Sequence, residues 1–357
     1  MKICLIYNVH PTGCSLYRLE LPHAHLSENY PEFDFYSISD LTTAKPKDLA
    51  SVDIFVVNRY WIHSAPEYVR QIADALRGYG AKLVLDLDDY WVLESGHPFF
   101  EHYTKQKTAD CIREHIRLAD AVTCTTDLLA DKIRPMNKNV HVFPNAPFLK
   151  YAQYSPDPGM EKDQDKLKFG WFGAAQHQED FAIIQDPMER LAFDSSLDGR
   201  YKIYLGGWAQ NEVFFDYEKV MSGNGRNKNY GRINAADVYS YVTGYNYINV
   251  ALAPLRETTF NRYKSELKVI EAGYMGKTII ASDMNPYRDV IKHGETGFLI
   301  PHSKPKQWYQ TIRDLVNDPD RAKAMGQALQ KDMISRFHMD EINVRRAELY
   351  RSLKREP

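Results

Sequence analysis

Four basic side chains lie close together directly after a short apolar run that is typical of a buried strand. They are Arg256, Arg262, Lys264 and Lys268. The pattern that follows predicts a helix over residues 266–273, so these cations surround its opening turn. Cations at this end of a helix oppose the helix dipole, which is unfavourable for stability but suits the binding of a diphosphate. The pattern therefore predicts an anion site beside the start of this helix.

The same helix has other polar groups that could take part in binding. Ser265 is expected to cap it, and Glu271 lies three residues after Lys268 on the same face, one turn deeper. A carboxylate at that depth could accept hydrogen bonds from the hydroxyls of a ribose. The alternative is a solvated basic helix whose charges are paired by Glu266 and Glu271. The residue types alone leave both interpretations open.

A second polar group follows another apolar run, in the segment Asp86-Leu-Asp-Asp-Tyr-Trp91. Asp88 and Asp89 fall at the carboxyl end of the predicted strand, where ligands of open parallel sheets collect. Tyr90 and Trp91 offer rings on which a sugar could stack. The alternatives are that the aspartates cap a helix or hold magnesium.

Gly13 and Arg18 follow the first predicted strand of the chain. Ligands of open parallel sheets collect beyond the carboxyl ends of the strands. The backbone at Gly13 and the guanidinium of Arg18 are therefore expected to face a bound ligand. The packing of a turn explains Gly13 equally well.

The first 150 residues alternate short apolar strands with amphipathic helices, which predicts a Rossmann-like domain with a parallel sheet. The strands are predicted at 3–7, 53–57, 82–87, 121–124 and 140–143, and the helices at 17–27, 66–77, 109–118 and 126–134. Residues 151–166 are rich in Pro, Asp and Lys and are predicted to be a surface linker.

Residues 165–334 repeat the same alternation and predict a second Rossmann-like domain. Its strands are predicted at 168–172, 201–204, 248–253, 278–281 and 297–300, and its helices at 180–191, 237–243, 266–273 and 286–291. Residues 223–232 are rich in Gly, Asn and basic side chains and predict a mobile loop. Residues 306–353 predict two or three charged helices, of which the last, at about 335–357, joins the first domain.

The composition fits a soluble globular protein of two domains, with 44% hydrophobic and 26% charged residues among 357. No apolar run approaches the roughly 18 residues that a membrane helix needs, and the start of the chain lacks a cleavage pattern, so a cytoplasmic location is expected. Four cysteines without close pairing predict neither disulfides nor a metal site. The net charge of −2 disfavours wholesale wrapping of nucleic acid.

Two long segments resemble the donor-binding half of glycosyltransferase family 4, whose members are retaining enzymes of GT-B fold. The segments are Ser265-Glu-Leu-Lys-Val-Ile-Glu-Ala-Gly-Tyr-Met-Gly-Lys-Thr-Ile-Ile-Ala-Ser-Asp283 and Tyr287-Arg-Asp-Val-Ile-Lys-His-Gly-Glu-Thr-Gly-Phe-Leu-Ile300. The resemblance extends to Gly170-Trp-Phe-Gly173 and to Val142-Phe-Pro-Asn145. It implies an α/β protein with two Rossmann-like domains that face each other across a cleft.

The resemblance also implies roles for particular residues. The donor would be a nucleoside-diphosphate sugar of UDP or GDP type, its ribose held by Glu271 and its diphosphate neutralised by Lys264 and Lys268. The remaining donor-site residues would be Gly173, Arg256, Arg262, Ser265 and Leu267, whereas Gly13, Arg18 and Trp91 would lie on the acceptor side. Asp88 and Asp89 fall close to where the family has a histidine near the transferred sugar, so they would be the catalytic residues, which stabilise an oxocarbenium-like transition state or hold sugar hydroxyls. No metal and no further cofactor are implied, since this fold balances the charge of the leaving group with Lys, Arg and helix dipoles.

The chain departs from the family pattern at two places. Tyr263 stands where the first of two paired glutamates is expected, and His177 and Gln178 stand in place of the usual Arg and Lys after the first strand of the second domain. These departures concern how the sugar and the diphosphate are held. A variant arrangement with Lys264, Lys268 and Glu271 is the closer match.

Sugar transfer is the leading functional hypothesis, and the acceptor is a glycan, a protein or DNA. Transfer to hydroxylated DNA bases is an alternative, because Arg226, Lys228 and Arg232 are predicted to form a basic loop. The same architecture would also suit a nucleotide-sugar epimerase, a phosphorylase or a non-catalytic sugar-binding protein. Transfer of a sugar to an added alcohol would separate a transferase from these three.

Overall fold

The computed structural model describes residues 1–7, 12–39, 41, 45–62, 65–148, 165–174, 177–207, 212–234, 238 and 241–354. Most of the linker predicted at 151–166 lies outside these described residues. The chain divides into two compact units. The N-terminal unit comprises Met1–Phe148, Tyr263–Ser265 and Phe337–Pro357, and the C-terminal unit comprises Leu149–Arg262 and Glu266–Arg336.

The N-terminal unit is built on a six-stranded parallel sheet with the strand order β2-β1-β3-β4-β5-β6. Its strands are β1 (Lys2–Ile6), β2 (Asp34–Ile38), β3 (Ile54–Asn58), β4 (Lys82–Leu87), β5 (Ala121–Cys124) and β6 (Val140–Val142). The inner strands are almost entirely buried, because helices cover both faces of a parallel sheet. The strand after β1 is added on one side of it, and β3 and the later strands are added on its other side. The strand order therefore reverses between the neighbouring strands β1 and β3.

Helices connect these strands, as expected for βαβ units. They are α1 (Gly13–Ser15), a π-helical turn Leu16–Glu20, α2 (Leu21–Asn29), α3 (Pro46–Leu49), α4 (Pro66–Gly78), α5 (Phe100–Lys105), α6 (Thr108–Leu118) and α7 (Asp127–Ile133). Thr12 caps the start of α1, and its hydroxyl accepts a hydrogen bond from the Ser15 amide at 3.0 Å.

The C-terminal unit has a second six-stranded parallel sheet, ordered β12-β11-β10-β7-β8-β9. Its strands are β7 (Leu167–Phe172), β8 (Tyr201–Gly207), β9 (Tyr230–Asn234), β10 (Val250–Ala253), β11 (Thr278–Ser282) and β12 (Phe298–Ile300). Here the chain builds outward from β7 to β9 and then returns to place β10 on the other side of β7. The reversal therefore falls between β7 and β10.

The helices of this part of the chain run from α8 to α15. They are α8 (Gln178–Phe181), α9 (Gln185–Phe193), α10 (Glu212–Met221), α11 (Thr259–Arg262), α12 (Leu267–Tyr274), α13 (Lys306–Asn317), α14 (Pro319–Arg336) and α15 (Met339–Ser352), with 3-10 turns at Ala182–Ile184, Ser195–Leu197, Tyr241–Tyr247 and Tyr287–Asp289. Gly273 of α12 and Gly326 of α14 allow the two helices to pack tightly. A Cβ atom added at either glycine would lie within 2.5 Å of an atom in the opposing segment. The last helix, α15, belongs to the N-terminal unit and packs on α2.

The prediction of two parallel α/β sheets is confirmed. The prediction of a mobile loop at 223–232 is wrong for its last residues, because Tyr230 begins the edge strand β9. Asn227 and Asn229, just before this strand, are buried. The helix predicted at 286–291 is only the 3-10 turn Tyr287–Asp289. The helix predicted at 237–243 lies partly outside the described residues, and its described end begins a 3-10 turn at Tyr241. Within the described residues, no helix is long and apolar enough to cross a membrane.

Acid should weaken the N-terminal unit through His115, a fully buried side chain of α6. Its Nδ1 lies 2.5 Å from the Cys111 carbonyl oxygen and its Nε2 accepts from the Trp61 amide at 3.1 Å, which fits only the neutral ring. Burial lowers its pKa from 6.5 to about 4. The unfolded chain therefore binds the proton first, and stability that is complete above pH 6.5 is lost as the pH falls towards 4, by about 3 kcal/mol.

Urea unfolding between pH 7 and 4 measures this loss. His115→Gln should flatten the dependence of unfolding free energy on pH, whereas His102→Gln, at an exposed position, should not. Equal slopes in the His115→Gln variant and the wild type would contradict the assignment.

Candidate functional site

The crevice of the C-terminal sheet lies where the chain reverses, at the carboxyl ends of β7 and β10. Ligands of open α/β sheets bind at this point, because the two connections leave in opposite directions and open a space between them. Gly173 follows β7 directly, and Leu255 and Arg256 follow β10. Helix α12 supplies the side chains that approach the β7 side of this crevice.

Lys268 reaches the carboxyl end of β7 from the first turn of α12. Its ammonium group donates a hydrogen bond to the carbonyl oxygen of Phe172 and lies 4.6 Å from the centre of the Trp171 ring. Gly173 makes this approach possible, because an added Cβ would lie 2.9 Å from Nζ of Lys268 and 2.8 Å from the Trp171 ring. A cation is therefore held at the reversal point of the sheet, beside the start of a helix that no side chain caps.

Glu271 lies one turn further along α12 and is only 1% exposed. Its Oε2 accepts a hydrogen bond from the Tyr245 hydroxyl at 3.3 Å. Burial raises the pKa of Tyr287, and the negative charges of Asp180 and Glu271 raise it further. Residues Val269–Tyr274 of the helix are all buried. The alternative of a solvated basic helix is therefore wrong.

Asp180, on α8, is buried and connects the two loops that border this crevice. Its Oδ2 lies 2.6 Å from Nδ1 of His177, in the loop after β7. Its Oδ1 accepts from the backbone amide of Arg256 at 2.7 Å and from Nδ2 of Asn261 at 3.4 Å, both in the segment after β10. Asp180 was not predicted from the sequence, because it belongs to no motif.

The side chains of Arg256 and Arg262 differ from the sequence prediction. Arg256 forms an ion pair with Glu179, and Nη2 of Arg262 lies 3.6 Å from Glu257, in both cases between strongly exposed side chains. Arg262 ends α11 and does not surround the opening turn of α12. Each of the four predicted cations therefore has a separate partner. The exposed ion pairs of Arg256 and Arg262 contribute little to the stability of the fold.

The segment before α12 also differs from the prediction. Glu266, not Ser265, occupies the capping position of α12, and no side chain caps that helix. The Ser265 hydroxyl instead accepts from Nδ2 of Asn145 at 3.0 Å. Leu267 is the first residue of α12. The ammonium nitrogen Nζ of Lys264 lies 3.8 Å from Oδ1 of Asp89.

Arg18, which was expected on the acceptor side, is buried within the N-terminal unit. It lies in the π-helical turn, is 2% exposed, and forms two hydrogen bonds with the buried Asp86, from Nε at 2.9 Å and from Nη2 at 2.7 Å. Its Nη1 donates to the Phe143 carbonyl oxygen at 2.7 Å and to Oδ1 of Asn145 at 3.0 Å. Arg18 therefore holds three segments of the N-terminal unit together.

Asp88 and Asp89 converge on Arg59, which follows β3 at the reversal point of the N-terminal sheet. Arg59 donates from Nε and Nη2 to the two oxygens of Asp88, each at 2.8 Å, and from Nη2 to Asp89 at 2.8 Å. Burial alone would raise the pKa of Asp88, but the charge and hydrogen bonds of Arg59 outweigh it, so this pKa lies well below its ordinary value. The Asp88 carboxylate is thus held ionised, and helix capping does not explain the pair.

Arg59 adopts a left-handed backbone conformation, with φ of 67°, which is uncommon for a residue with a side chain. Its Nη2 also lies 3.0 Å from Sγ of Cys14, and burial raises the pKa of that thiol well above its ordinary value. Arg59 was not predicted from the sequence, because one arginine at the end of a predicted strand has no distinguishing spacing. Backbone strain concentrates at functional sites, which agrees with its position.

The aromatic residues beside the aspartates also require a correction. Trp91 is 4% exposed and belongs to the hydrophobic core, so it offers no free face to a sugar. Tyr90 packs between it and Tyr263, with ring centres 4.9 and 4.8 Å away. Gly13 is the first residue of α1, directly after the capping Thr12.

The basic segment predicted as a nucleic-acid loop has partners of its own. Arg226 lies over the ring of Phe193 at 5.1 Å, and Nη1 of Arg232 lies 3.8 Å from Glu218. Lys228 is exposed. Among the residues that the structure describes, no three His, Cys, Asp or Glu side chains are grouped as metal ligands.

Comparison with known proteins agrees with this geometry. Residues 267–332 match the family model described as glycosyl transferases group 1. A D-inositol 3-phosphate glycosyltransferase of Thermobispora bispora is 29% identical over 84 residues, which is 24% of this chain. The match spans only 19% of the length of that curated relative.

Two solved structures resemble the chain over almost its whole length. HepE of Anabaena, in complex with UDP-glucose, is 14% identical with a TM-score of 0.70, over 99% of this chain and 100% of that one. Sucrose-phosphate synthase from Thermosynechococcus elongatus is 15% identical with a TM-score of 0.70, over 99% and 98%.

The strand orders and these similarities define a protein of GT-B fold. Its segment 267–332, which contains α12 with Lys268 and Glu271, is similar to glycosyl transferases of group 1. The predicted resemblance to GT-B glycosyltransferases is confirmed at that level, and the narrower assignment to family 4 stays a prediction.

Proposed function

We propose that this protein transfers a sugar from a nucleoside-diphosphate donor to an acceptor hydroxyl, with retention of the anomeric configuration. The observation that carries the proposal is the position of Lys268. Its ammonium group lies at the reversal point of the C-terminal sheet, beside Gly173, in the segment that matches the group 1 transferases. A cation at this point, next to an uncapped helix start, is suited to a diphosphate.

The donor is proposed to bind to the C-terminal unit. Lys268 and the first amides of α12 neutralise the diphosphate, and Glu271 accepts hydrogen bonds from the ribose in place of the Tyr245 hydroxyl. A uridine or guanine nucleotide is proposed, and the similar HepE structure contains UDP-glucose.

The acceptor and the transferred sugar are proposed to contact the N-terminal unit. Asp89 is the more accessible of the two carboxylates on Arg59, with 23% of its side chain exposed against 11% for Asp88. An ionised carboxylate there favours positive charge that develops on the sugar ring. The acceptor hydroxyl attacks the anomeric carbon on the face from which the diphosphate leaves, and its proton passes to the departing phosphate oxygen.

Lys268→Ala should weaken binding of a nucleoside diphosphate by about tenfold to a hundredfold, because a charge-assisted hydrogen bond is lost. Glu271→Gln should weaken both the diphosphate and the free nucleoside, since the ribose is common to them. Calorimetric titration with UDP, GDP, ADP and the matching nucleosides measures these losses. Lys306→Ala, at an exposed lysine on α13, is the matched control and should bind as the wild type does.

Unchanged affinity in both the Lys268 and Glu271 variants would remove the donor site from α12. Transfer should be followed with an added alcohol and excess EDTA, since the proposed mechanism uses cationic side chains and no metal. Formation of the glycoside under these conditions separates a transferase from an epimerase or a binding protein. A strict requirement for a divalent ion would overturn the mechanism.

A further inference from the structure

The two carboxylates that converge on Arg59 differ in how far their oxygens are already used by the protein. Both oxygens of Asp88 accept from Arg59 at 2.8 Å, and Oδ1 also accepts from Nδ2 of Asn58 at 3.4 Å. Asp89 accepts from Arg59 through Oδ2 at 2.8 Å. Its Oδ1 lies 3.8 Å from Nζ of Lys264, which is too far for a hydrogen bond. Among the described residues, Asp89 therefore retains an oxygen that can accept from a sugar hydroxyl.

Arg59 also sets the charge of this pair. One guanidinium carries one positive charge and binds two carboxylates, so it does not neutralise both of them. Asp88 takes the two-point contact with Arg59, and Asp89 takes a single contact and is the more exposed of the two. The negative charge that Arg59 leaves uncompensated is therefore directed outward at Asp89, where it favours positive charge on a sugar ring.

The thiol of Cys14 supports the same arrangement from α1. Its Sγ lies 3.0 Å from Nη2 of Arg59, and the thiol donates a hydrogen bond to the Asp88 carboxylate. Burial raises the pKa of this thiol well above its ordinary value, so the proton of that hydrogen bond is retained. The start of α1 is fixed by reciprocal hydrogen bonds, from the Thr12 amide to Oγ of Ser15 at 2.9 Å and from the Ser15 amide to Oγ1 of Thr12 at 3.0 Å. Cys14 is therefore held in place by its own helix.

We infer that Arg59 and Cys14 are positioning residues, which hold Asp88 as an anchor and thereby direct Asp89 at the transferred sugar. This inference rests on the proposed function and divides the acidic pair, because Asp89 contacts the sugar and Asp88 does not. Arg59 follows β3 and the aspartates follow the neighbouring strand β4, so the clamp joins two loops of the N-terminal crevice. The left-handed backbone of Arg59 agrees with such a role.

Arg59→Lys should lower turnover by about tenfold or more, because lysine returns the charge but cannot make the two-point contact. Affinity for UDP should change by less than about twofold, since Arg59 does not touch the donor. Transfer to an added alcohol at saturating donor, with calorimetric titration of UDP, separates the two quantities. GDP replaces UDP if the titrations select guanine. Arg134→Lys, at an exposed arginine paired with Asp131, is the matched control and should behave as the wild type does.

A double variant shows whether Arg59 acts through Asp89. Arg59→Lys combined with Asp89→Asn should lose less than about threefold more turnover than Asp89→Asn alone, because the group that Arg59 positions is already absent. If Arg59 instead contacted the substrate itself, the two losses would multiply to about a thousandfold.

The turnover of Arg59→Gln divided by that of the wild type reports the ionisation of the pair. The other charged and titratable groups around the pair are Arg18, Asp86, Cys14, Tyr60, Tyr103 and Lys264. Burial raises the pKa of Cys14 and Tyr60, and that of Tyr103 to about 12, so these groups stay protonated between pH 5 and 8. Without the charge of Arg59, burial raises the pKa of Asp88. The ratio should therefore fall as the pH falls from 8 to 5, whereas groups that titrate alike in both proteins cancel.

Cys14 tests the clamp without removing a charge. Cys14→Val lacks the donor to Asp88 and should lower turnover by about threefold or more, whereas Cys14→Ser keeps a donor and should recover most of the wild-type turnover. If Arg59→Lys does not fold, these two variants decide the matter, and equal turnover in both would overturn the inference.

Wild-type turnover in Arg59→Lys, multiplied losses in the double variant, or a turnover ratio that does not depend on pH would also overturn it. Each of these results would leave the donor site at Lys268 intact, because UDP titration reports that site separately. If the wild type transfers no sugar to the alcohol, both proposals fail.

Discussion

Asp86→Ala is expected to destabilise the N-terminal unit by about 3–5 kcal/mol, the cost of leaving one partner of a buried ion pair without the other. Arg18 would keep its charge at 2% exposure, with hydrogen bonds only to Phe143 and Asn145. Thr123 would also lose its acceptor, which lies 2.6 Å from its hydroxyl. Urea unfolding, with the N-terminal unit identified by hydrogen exchange, measures the loss.

Two further variants make this prediction specific. Asp110→Ala removes a pair of the same 2.7 Å length between the exposed side chains of Asp110 and Arg113, and should cost less than about 1 kcal/mol. The double variant Arg18→Met with Asp86→Leu should cost less than Asp86→Ala, because no charge remains buried. A small loss in Asp86→Ala, equal to that in Asp110→Ala, would show that the pair is not as buried as described.

Asp89→Asn is expected to lower turnover by about a hundredfold, with donor affinity changed far less, because one preorganised charge beside the transferred sugar is lost. Asp88→Asn should lower turnover by a similar factor, and it should also reduce stability, since Arg59 loses its two-point contact. Steady-state kinetics with saturating donor, together with calorimetric donor titration, separate the two quantities. Asp131→Asn, at an exposed position on α7, is the control for a carboxylate in the same unit.

The role proposed for the N-terminal unit depends on this result. Wild-type turnover in both Asp88→Asn and Asp89→Asn would contradict it. So would a loss of nucleotide affinity as large as that in Glu271→Gln, because the carboxylates would then serve the donor and not the sugar.

The sheets were predictable from the sequence for a physical reason. Strands such as β4 and β7 are buried on both faces, so they read as mostly apolar runs between helices. The edge strand β2 was missed, because its residues are exposed or only partly buried and include Asp34. The same cause hid β9, whose Gly, Asn and basic neighbours resemble a loop.

The candidate sites were predictable only where neighbours in sequence are also neighbours in space. Lys268 and Glu271 share one helix, so their spacing predicted a common face. Arg256 and Arg262 were grouped with them by sequence distance, but Glu179 and Glu257 pair with their guanidinium groups. Arg59 and Asp180 come from other strands and helices, and only the folded sheets bring them to the crevices. Burial of Arg18 and Trp91 likewise depends on long-range packing.

The return of α15 to the N-terminal unit has a consequence for synthesis on the ribosome. Asn343 donates to the Pro22 carbonyl oxygen at 2.8 Å, and the Tyr350 hydroxyl lies 2.7 Å from Nε2 of His23, so α2 acquires these buried partners from residues that follow them by 321 and 327 positions in the chain. The residues of the C-terminal unit, through Arg336, are all synthesised earlier. Synthesis of the N-terminal unit therefore begins before that of the C-terminal unit but its packing is completed after it, and the Pro22 carbonyl and the His23 ring of α2 lack these partners until α15 has emerged.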